Sequence, residues 1–269
     1  MATQSPERSA EASGRQQSKA VHARLDNVTV EFLRRDGQST VALRNVSLQL
    51  IQGEFLVLVG ASGSGKTTAL NVFAGLAEPT VGAASVAGLS PAAARRQLGY
   101  MFARDALLPW RTARQNVEFG MELRGRGTRE RRDRAMRLLE LVRLAQYAGN
   151  YPSQLSQGQR QRVALARTWA ISPNVLLMDE PFSALDAQTR EALQEEFLRL
   201  WAAEKKSVIF VTHDLNEALT LADRIVVFSN GEIVHEFVVP ISRPRDIIDI
   251  TESPEAKRIY KTIRELLSH

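Results

Sequence analysis

Gly60-Ala61-Ser62-Gly63-Ser64-Gly65-Lys66-Thr67-Thr68 has the residue types and spacing to hold a polyphosphate. Glycines let the backbone bend around an anion with consecutive N–H groups turned inward, and the N-terminus of a following helix adds partial positive charge. Lys66 supplies a point charge for β- and γ-phosphates, and Thr67 offers a hydroxyl to the Mg²⁺ that such phosphates carry. Two acids, Asp179 and Glu180, follow the apolar run Val175-Leu176-Leu177-Met178, and His213 follows another, from Ser207 to Thr212. Polar groups after a buried strand stand at the end where ligands bind in open α/β sheets.

These residues need a scaffold, and the chain supplies one in order. Phe55-Leu56-Val57-Leu58-Val59 reads as the strand entering the loop, and Leu70-Asn71-Val72-Phe73-Ala74 as the helix leaving it. Earlier, Val28, Val30 and Phe32 alternate with polar neighbours, Asp36-Gly37 reads as a turn, and Val41 to Leu50 alternates again, predicting an antiparallel opening. Phe32 has two readings, a core aromatic or a platform for a purine. Ser85-Val86-Ala87-Gly88 predicts a short strand and turn, and Leu98 to Phe102 another strand. Helices over 113–123 and 129–145, with no strand between them, predict an all-helical insertion. The arginines of the second helix read as a solvated face. Further helices are expected over 161–170, 188–201 and 216–222. Ile225-Val226-Val227-Phe228, Asn230-Gly231 and Ile233 to Val239 form a hairpin by the Asn-Gly rule. Ser253-Pro254 opens a terminal helix with Ile259, Ile263 and Leu267 on one stripe.

The 269 residues, 44% of them hydrophobic, suffice for one large domain with an inserted subdomain. No window approaches the roughly eighteen apolar residues of a membrane span, and Met1 to Ala20 lacks the apolar stretch of a signal peptide, so a cytoplasmic protein is expected. With no cysteine, disulfides, thiolate metal sites and a cysteine nucleophile are excluded. A net charge of +5 is mild, and the basic residues do not interleave with aromatics, so no nucleic acid is expected as partner. Residues 1–21 read as a disordered tail, 22–242 as a nucleotide-binding domain with its helical insertion at 105–160, and 243–269 as a helical extension.

Downstream of the phosphate loop lie Leu155-Ser156-Gln157-Gly158-Gln159, Met178-Asp179-Glu180-Pro181, Ser183-Ala184-Leu185-Asp186 and Val211-Thr212-His213-Asp214. In this order and spacing the set resembles an ABC-type ATPase from Leu25 to Ser242. Within that superfamily the chain looks most like the ATPase subunits of nitrate, sulfonate and taurine importers, through Asp105-Ala106-Leu107-Leu108-Pro109-Trp110 and Ile241-Ser242-Arg243-Pro244-Arg245. The resemblance implies an α/β fold: a P-loop NTPase core of RecA type with a mainly parallel sheet, an N-terminal antiparallel β subdomain and an inserted α-helical subdomain. It implies ATP and Mg²⁺ as cofactors. Asp179 would hold Mg²⁺ through water, Glu180 would act as general base toward the attacking water, and His213 would touch the γ-phosphate. Ser156, Gly158 and Gln159 would start a helix that contacts the nucleotide of an opposite subunit, with Asp186 in the loop between the two sites. Two copies would thus sandwich two ATP molecules head to tail. The further partners implied are integral membrane permease subunits and an extracytoplasmic substrate-binding protein, at the cytoplasmic face of the inner cell membrane, with a small organic or inorganic anion as cargo.

Two positions depart from the family's pattern. Ala103 replaces the usual glutamine after the Gly99-Tyr100-Met101-Phe102 strand, and a methyl group cannot ligate a metal; Arg104 and Asp105 are the neighbours able to take its role. Gln157 replaces the commoner glycine of its motif and would be strained at positive φ. Trp110 has two readings, a buried anchor of the insertion or part of a groove for membrane subunits. The competing functions are a soluble non-transport ABC ATPase and a regulatory nucleotide-binding module. The short span from Lys66 to Ser156 leaves no room for a long coiled coil, and Glu180 argues against a module without turnover.

Overall fold

The computed structural model describes residues 20–33, 37–243, 245, 250 and 252–268. The first two strands, β1 (Val21–Leu33) and β2 (Ser39–Ile51), form the expected antiparallel pair. Their alternation buries Leu25, Val28 and Val30 against Leu43, Val46 and Leu48. Most of the expected tail, residues 1–19, and Asp36 of the expected turn lie outside the described residues, while Val21 opens β1 rather than closing the tail. A third strand, Val81–Val86, pairs with the other edge of β1, so Ser85-Val86 is only the end of it. Its first three residues are exposed, which erased the apolar alternation that would have marked it.

The main sheet holds Phe55–Gly60 (β3), Leu98–Met101 (β5), Val175–Asp179 (β6), Ser207–Thr212 (β7), Arg224–Ser229 (β8) and Glu232–Val238 (β9), with Val81–Val86 as β4 in chain order. Its strand order is β5-β6-β7-β3-β8-β9, parallel from β5 to β8, with β9 antiparallel on β8. Asn230 and Gly231 join the last pair with φ of 50° and 82°, as a two-residue hairpin of the primed type requires. The parallel strands are covered on both faces and their side chains serve two cores. Phe55, Val57, Val59, Val208 and Phe210 face one, where Phe55 meets Phe197, Trp201 and Phe210 at ring separations of 5.8, 5.6 and 5.9 Å. Leu56, Leu58, Ile209 and Val211 face the other, shared with the antiparallel sheet.

Among the described residues, helices run over Lys66–Phe73 (α1), Pro91–Ala94 (α2), Ala113–Leu123 (α3), Thr128–Leu141 (α4), Gln157–Ala170 (α5), Ala187–Glu204 (α6), Leu215–Leu221 (α7) and Pro254–Leu267 (α8). The helices α3 and α4 pack against each other and against α5, which also meets β5 and α6 of the core. Helix α4 ends earlier than its apolar spacing predicts, because Arg143 turns left-handed at φ 56°; Val142 and Leu144 are buried all the same. Of its arginines, Arg129, Arg132 and Arg137 are exposed as expected, while Arg134 is half-buried. Arg134 donates to the carbonyl of Ala170 at 2.7 Å and to Ser172 Oγ at 2.6 Å, tying α4 to the end of α5. Helix α8 buries Ile259 and Ile263, packs Leu267 at the core margin, and contacts α7.

Candidate functional site

The phosphate loop spans the turn from β3 into α1, so its residues stand beside the C-terminal ends of β6 and β7. Gly65 forms the N-terminal cap of α1 at φ 104°, leaving Lys66 as the first helical residue. The Lys66 side chain is buried in the loop, where Nζ donates to the carbonyls of Gly60 and Ala61, both at 2.8 Å, and approaches Ser64 Oγ at 3.4 Å. Burial lowers the Lys66 pKa, against the opposing pull of the Glu180 and Asp179 carboxylates. A cavity of about 140 Å³ lies over the segment from Ser62 through Gly63, Gly65 and Thr67 to Thr68, walled by Ala42 and Glu180.

The strand β6 delivers the two acids. Asp179 Oδ1 accepts a hydrogen bond from Thr67 Oγ1 at 3.0 Å. Burial raises the Asp179 pKa; the Thr67 bond and the Lys66 charge offset this in part, and Glu180 adds repulsion. Glu180 leaves the strand at φ 46°, a left-handed conformation for a non-glycine residue, held by its N–H donating to the carbonyl of Val211 at 3.0 Å. That turn aims Glu180 Oε2 at His213 Nδ1, 3.2 Å away. Lys66, Thr67, Asp179, Glu180 and His213 therefore form one constellation: a buried cation, a hydroxyl–carboxylate pair, and a carboxylate–imidazole pair. It combines anion binding with a base able to take a proton from water.

Phe32 is 49% exposed at the end of β1, opposite Thr40, so its core reading is overturned. Ser156, Gly158, Gln159 and Asp186 are brought together around a different cavity, of about 500 Å³, that shares no lining residue with the first. Ser156 caps α5: its Oγ accepts from Gln159 N at 3.2 Å while Gln159 Oε1 accepts from Ser156 N at 2.9 Å. Gln157 sits in the first turn of α5, so the strain that positive φ would cause does not arise. Asp186 caps α6 by accepting from Thr189 N at 3.0 Å, and this bonding lowers its pKa.

Near Ala103, Asp105 Oδ2 accepts from Arg160 Nε at 2.9 Å, whereas Arg104 is exposed. Trp110 is 70% exposed, which overturns the buried-anchor reading. The anchor is Asn116, fully buried, whose amide donates to the carbonyls of Leu108, Arg111 and Thr112 at 3.0–3.2 Å and accepts from Leu108 N at 2.8 Å. Sequence reasoning also passed over Tyr100. Its hydroxyl donates to Asn71 Oδ1 at 3.0 Å, and burial, with the Asp179 charge second, raises its pKa. Nothing local marked either residue, since an asparagine on an amphipathic helix and a tyrosine on a strand are ordinary.

The profile of the ABC transporter family matches residues 43–183, which carry the phosphate loop, the Ser156 cap and the Asp179–Glu180 pair. The chain belongs to the ABC transporter family. Among relatives of this ABC protein are the nitrate import ATP-binding protein NrtD of Synechocystis, 41% identical over 91% of this chain and 90% of that one, and the taurine import ATP-binding protein TauB of Chromobacterium violaceum, 46% identical over 90% and 92%. A solved dimeric structure of the ATP-binding cassette MJ0796, in a post-hydrolysis state bound to ADP and Pi, superposes with a TM-score of 0.75 at 35% identity, covering 82% of this chain and 100% of that one. The P-loop NTPase fold with its mainly parallel sheet is thus the fold of an ABC cassette, and the chain is an ABC-type ATP-binding subunit with ATPase activity. Among the described residues, no helix of this ABC subunit is long and apolar enough to cross a membrane.

Proposed function

We propose that this chain is the ATP-hydrolysing subunit of an importer for a small organic or inorganic anion. The observation that carries the chemistry is the Glu180–His213 pair at 3.2 Å beside the phosphate loop. Relatives named for nitrate and taurine import support the transport assignment. Two copies act head to tail, each offering its Ser156, Gly158 and Gln159 helix start and its Asp186 loop to the nucleotide of the other. The dimer works at the cytoplasmic face of the cell membrane with separate permease subunits and an extracytoplasmic binding protein. The exposed Trp110, on a loop made rigid by Asn116, belongs to the surface that meets the permease.

Within each site the loop from Gly60 to Thr68 binds the phosphates through backbone N–H groups and Lys66. Phe32, exposed and two residues along the β1–β2 ladder from the Ala42 wall, stacks on the adenine. Thr67 Oγ1 and Asp179 Oδ1 fit Mg²⁺: they are paired hard oxygen donors, and Mg²⁺ typically takes one or two protein ligands with phosphate and water completing its shell. When bound, the ion neutralises charge on the phosphate oxygens. Glu180 accepts a proton from the attacking water, and His213 holds the Glu180 carboxylate in place and faces the γ-phosphate. Glu180→Gln should bind ATP as wild type does and stop hydrolysing it; turnover at the wild-type rate would assign the base elsewhere. Deleting the chain from its source cell should abolish uptake of nitrate, taurine or another sulfonate, and unchanged uptake of all of them would overturn the importer reading.

A further inference from the structure

Bonded to Thr212 and Asp214, the residues that flank His213, is a group of polar side chains that the chemistry above does not use. Glu217 on α7 and Gln194 on α6 are about as buried as core residues, at 6% and 5% exposure, and Thr212 at the end of β7 is at 2%. Carboxylates are rarely buried without a specific partner. Here both Glu217 oxygens are used: Oε2 accepts from Thr212 Oγ1 at 2.6 Å and Oε1 from Gln194 Nε2 at 2.9 Å. The Thr212 hydroxyl in turn accepts from Asp214 N at 3.0 Å. It thereby links the residues on either side of His213. Arg190 on α6 completes the connection. It donates from Nη1 to Asp214 Oδ2 at 3.2 Å and from Nη2 to the carbonyl of Leu185 at 3.0 Å, and its Nε lies 3.9 Å from Glu217 Oε1. Leu185 precedes Asp186, the cap of α6.

We propose that Glu217 is a positioning residue for hydrolysis: through Thr212 it holds the His213 turn in register with Glu180, and through Arg190 the turn is fastened to the Leu185–Asp186 segment. This rests on the roles given above to Glu180 and His213. A hydroxyl pinned between a buried carboxylate and a backbone N–H has one orientation, so His213 reaches Glu180 without searching rotamers of the turn. The link to Leu185 ties the geometry of one site to a loop that also borders the cavity at the Ser156 helix start. A reacting or assisting group misplaced by about 1 Å can cost about a hundredfold in rate, whereas ATP affinity, set at the phosphate loop, should be left unchanged.

The test uses the full-length chain, measured for ATP turnover, ATP KM and melting temperature. Thr212→Val removes the hydroxyl at nearly constant volume and should lower kcat about tenfold or more with KM within twofold, while Thr212→Ser, which keeps the hydroxyl, recovers most of the rate. Glu217→Leu, which leaves the Thr212 hydroxyl without its acceptor, should show the same split between kcat and KM, with the melt recording any cost to the fold. In a His213→Ala background, where no imidazole is left to position, Glu217→Leu should cost no further rate beyond about twofold. Equal turnover in Thr212→Val and Thr212→Ser, or a Glu217→Leu penalty of the same size in both backgrounds, would overturn the proposal. Single substitutions at Glu180 and His213 run alongside separate the two questions: if neither lowers turnover, the assignment of the site itself is wrong, whatever Glu217 does.

Discussion

Replacing Gly65 by alanine perturbs the phosphate loop in two ways that the structure separates. The residue has φ 104°, and an added Cβ would lie 2.7 Å from the carbonyl oxygen of Ala42 and 2.9 Å from Leu43 Cδ2. Gly63, in the same loop at φ 80°, has nothing within 4 Å of the equivalent position. A left-handed backbone costs an L-residue about 1–2 kcal/mol, and both substitutions incur it. Overpacking typically adds about 1–3 kcal/mol, and only Gly65→Ala incurs that, because Ala42 O belongs to the backbone of β2 and cannot retreat as a side chain would. Gly63→Ala should therefore cost about 1–2 kcal/mol and Gly65→Ala about 2–5 kcal/mol. At roughly 1.4 kcal/mol per decade, the former weakens ATP binding about tenfold, and the latter by about thirtyfold to several thousandfold if the whole strain is released at the loop. Calorimetric titration with ATP measures the affinity, and a thermal melt of each variant captures any share taken from the fold. Losses equal within a factor of two, summed over both measurements, would refute the idea that contact with β2 shapes the loop.

Asp179→Asn should melt above wild type at pH 8, because it removes a carboxylate whose raised pKa means the folded state disfavours its charge. The sign follows from that direction: the difference should shrink as pH falls through the raised pKa and disappear where Asp179 is protonated, and an unchanged or lower melting temperature at pH 8 would contradict it. Ile263 is fully buried, so Ile263→Ala should cost about 2–5 kcal/mol, and deletion after Thr251 should lower the melting temperature as well. A melt unaffected by either change would mean that α8 does not stabilise the core. Ala103→Gln should raise ATP turnover in the assembled transporter by restoring a positioned polar group. A rate equal to or below wild type would point instead to Arg104, for which Arg104→Ala in the same assay is the check.

The parts of the site that sequence reading reached are those whose chemistry is local. A glycine-rich turn between an apolar strand and a helix, an acid pair after four apolar residues, and Asn-Gly between two strands each carry their meaning within a few positions. What it missed depends on partners distant in the chain. Gln194 and Glu217 occupy helix positions that look solvated, and only their meeting with Thr212 makes them interior. Strand β4 was half seen because its exposed small residues carry no period, and the end of α4 was misplaced because Val142 and Leu144 remain buried after the helix has stopped. Phe32 and Trp110 were ambiguous for a different reason: an aromatic side chain serves a core or a binding surface equally well, and burial alone decides.

The double duty of the central strands bears on how the sheet finds its register. Where one face of a strand is wet, polarity marks which residues point inward; strands β3 and β7 are apolar on both faces and lack that mark. Size takes its place. Phe55 and Phe210 stand with Val57, Val59 and Val208 on the side that holds Phe182, Phe197, Trp169 and Trp201, while Leu56, Leu58, Ile209 and Val211 of the same strands meet the side that holds Phe73 and Phe228. A slip of one residue would leave every hydrophobic side chain in an apolar layer and still fail, pressing rings against the floor of the antiparallel sheet and opening voids among the aromatics. The pairing is thus written partly in volume, and an exchange of Phe210 with Val211, which leaves the composition unchanged, would move a ring from one layer into the other.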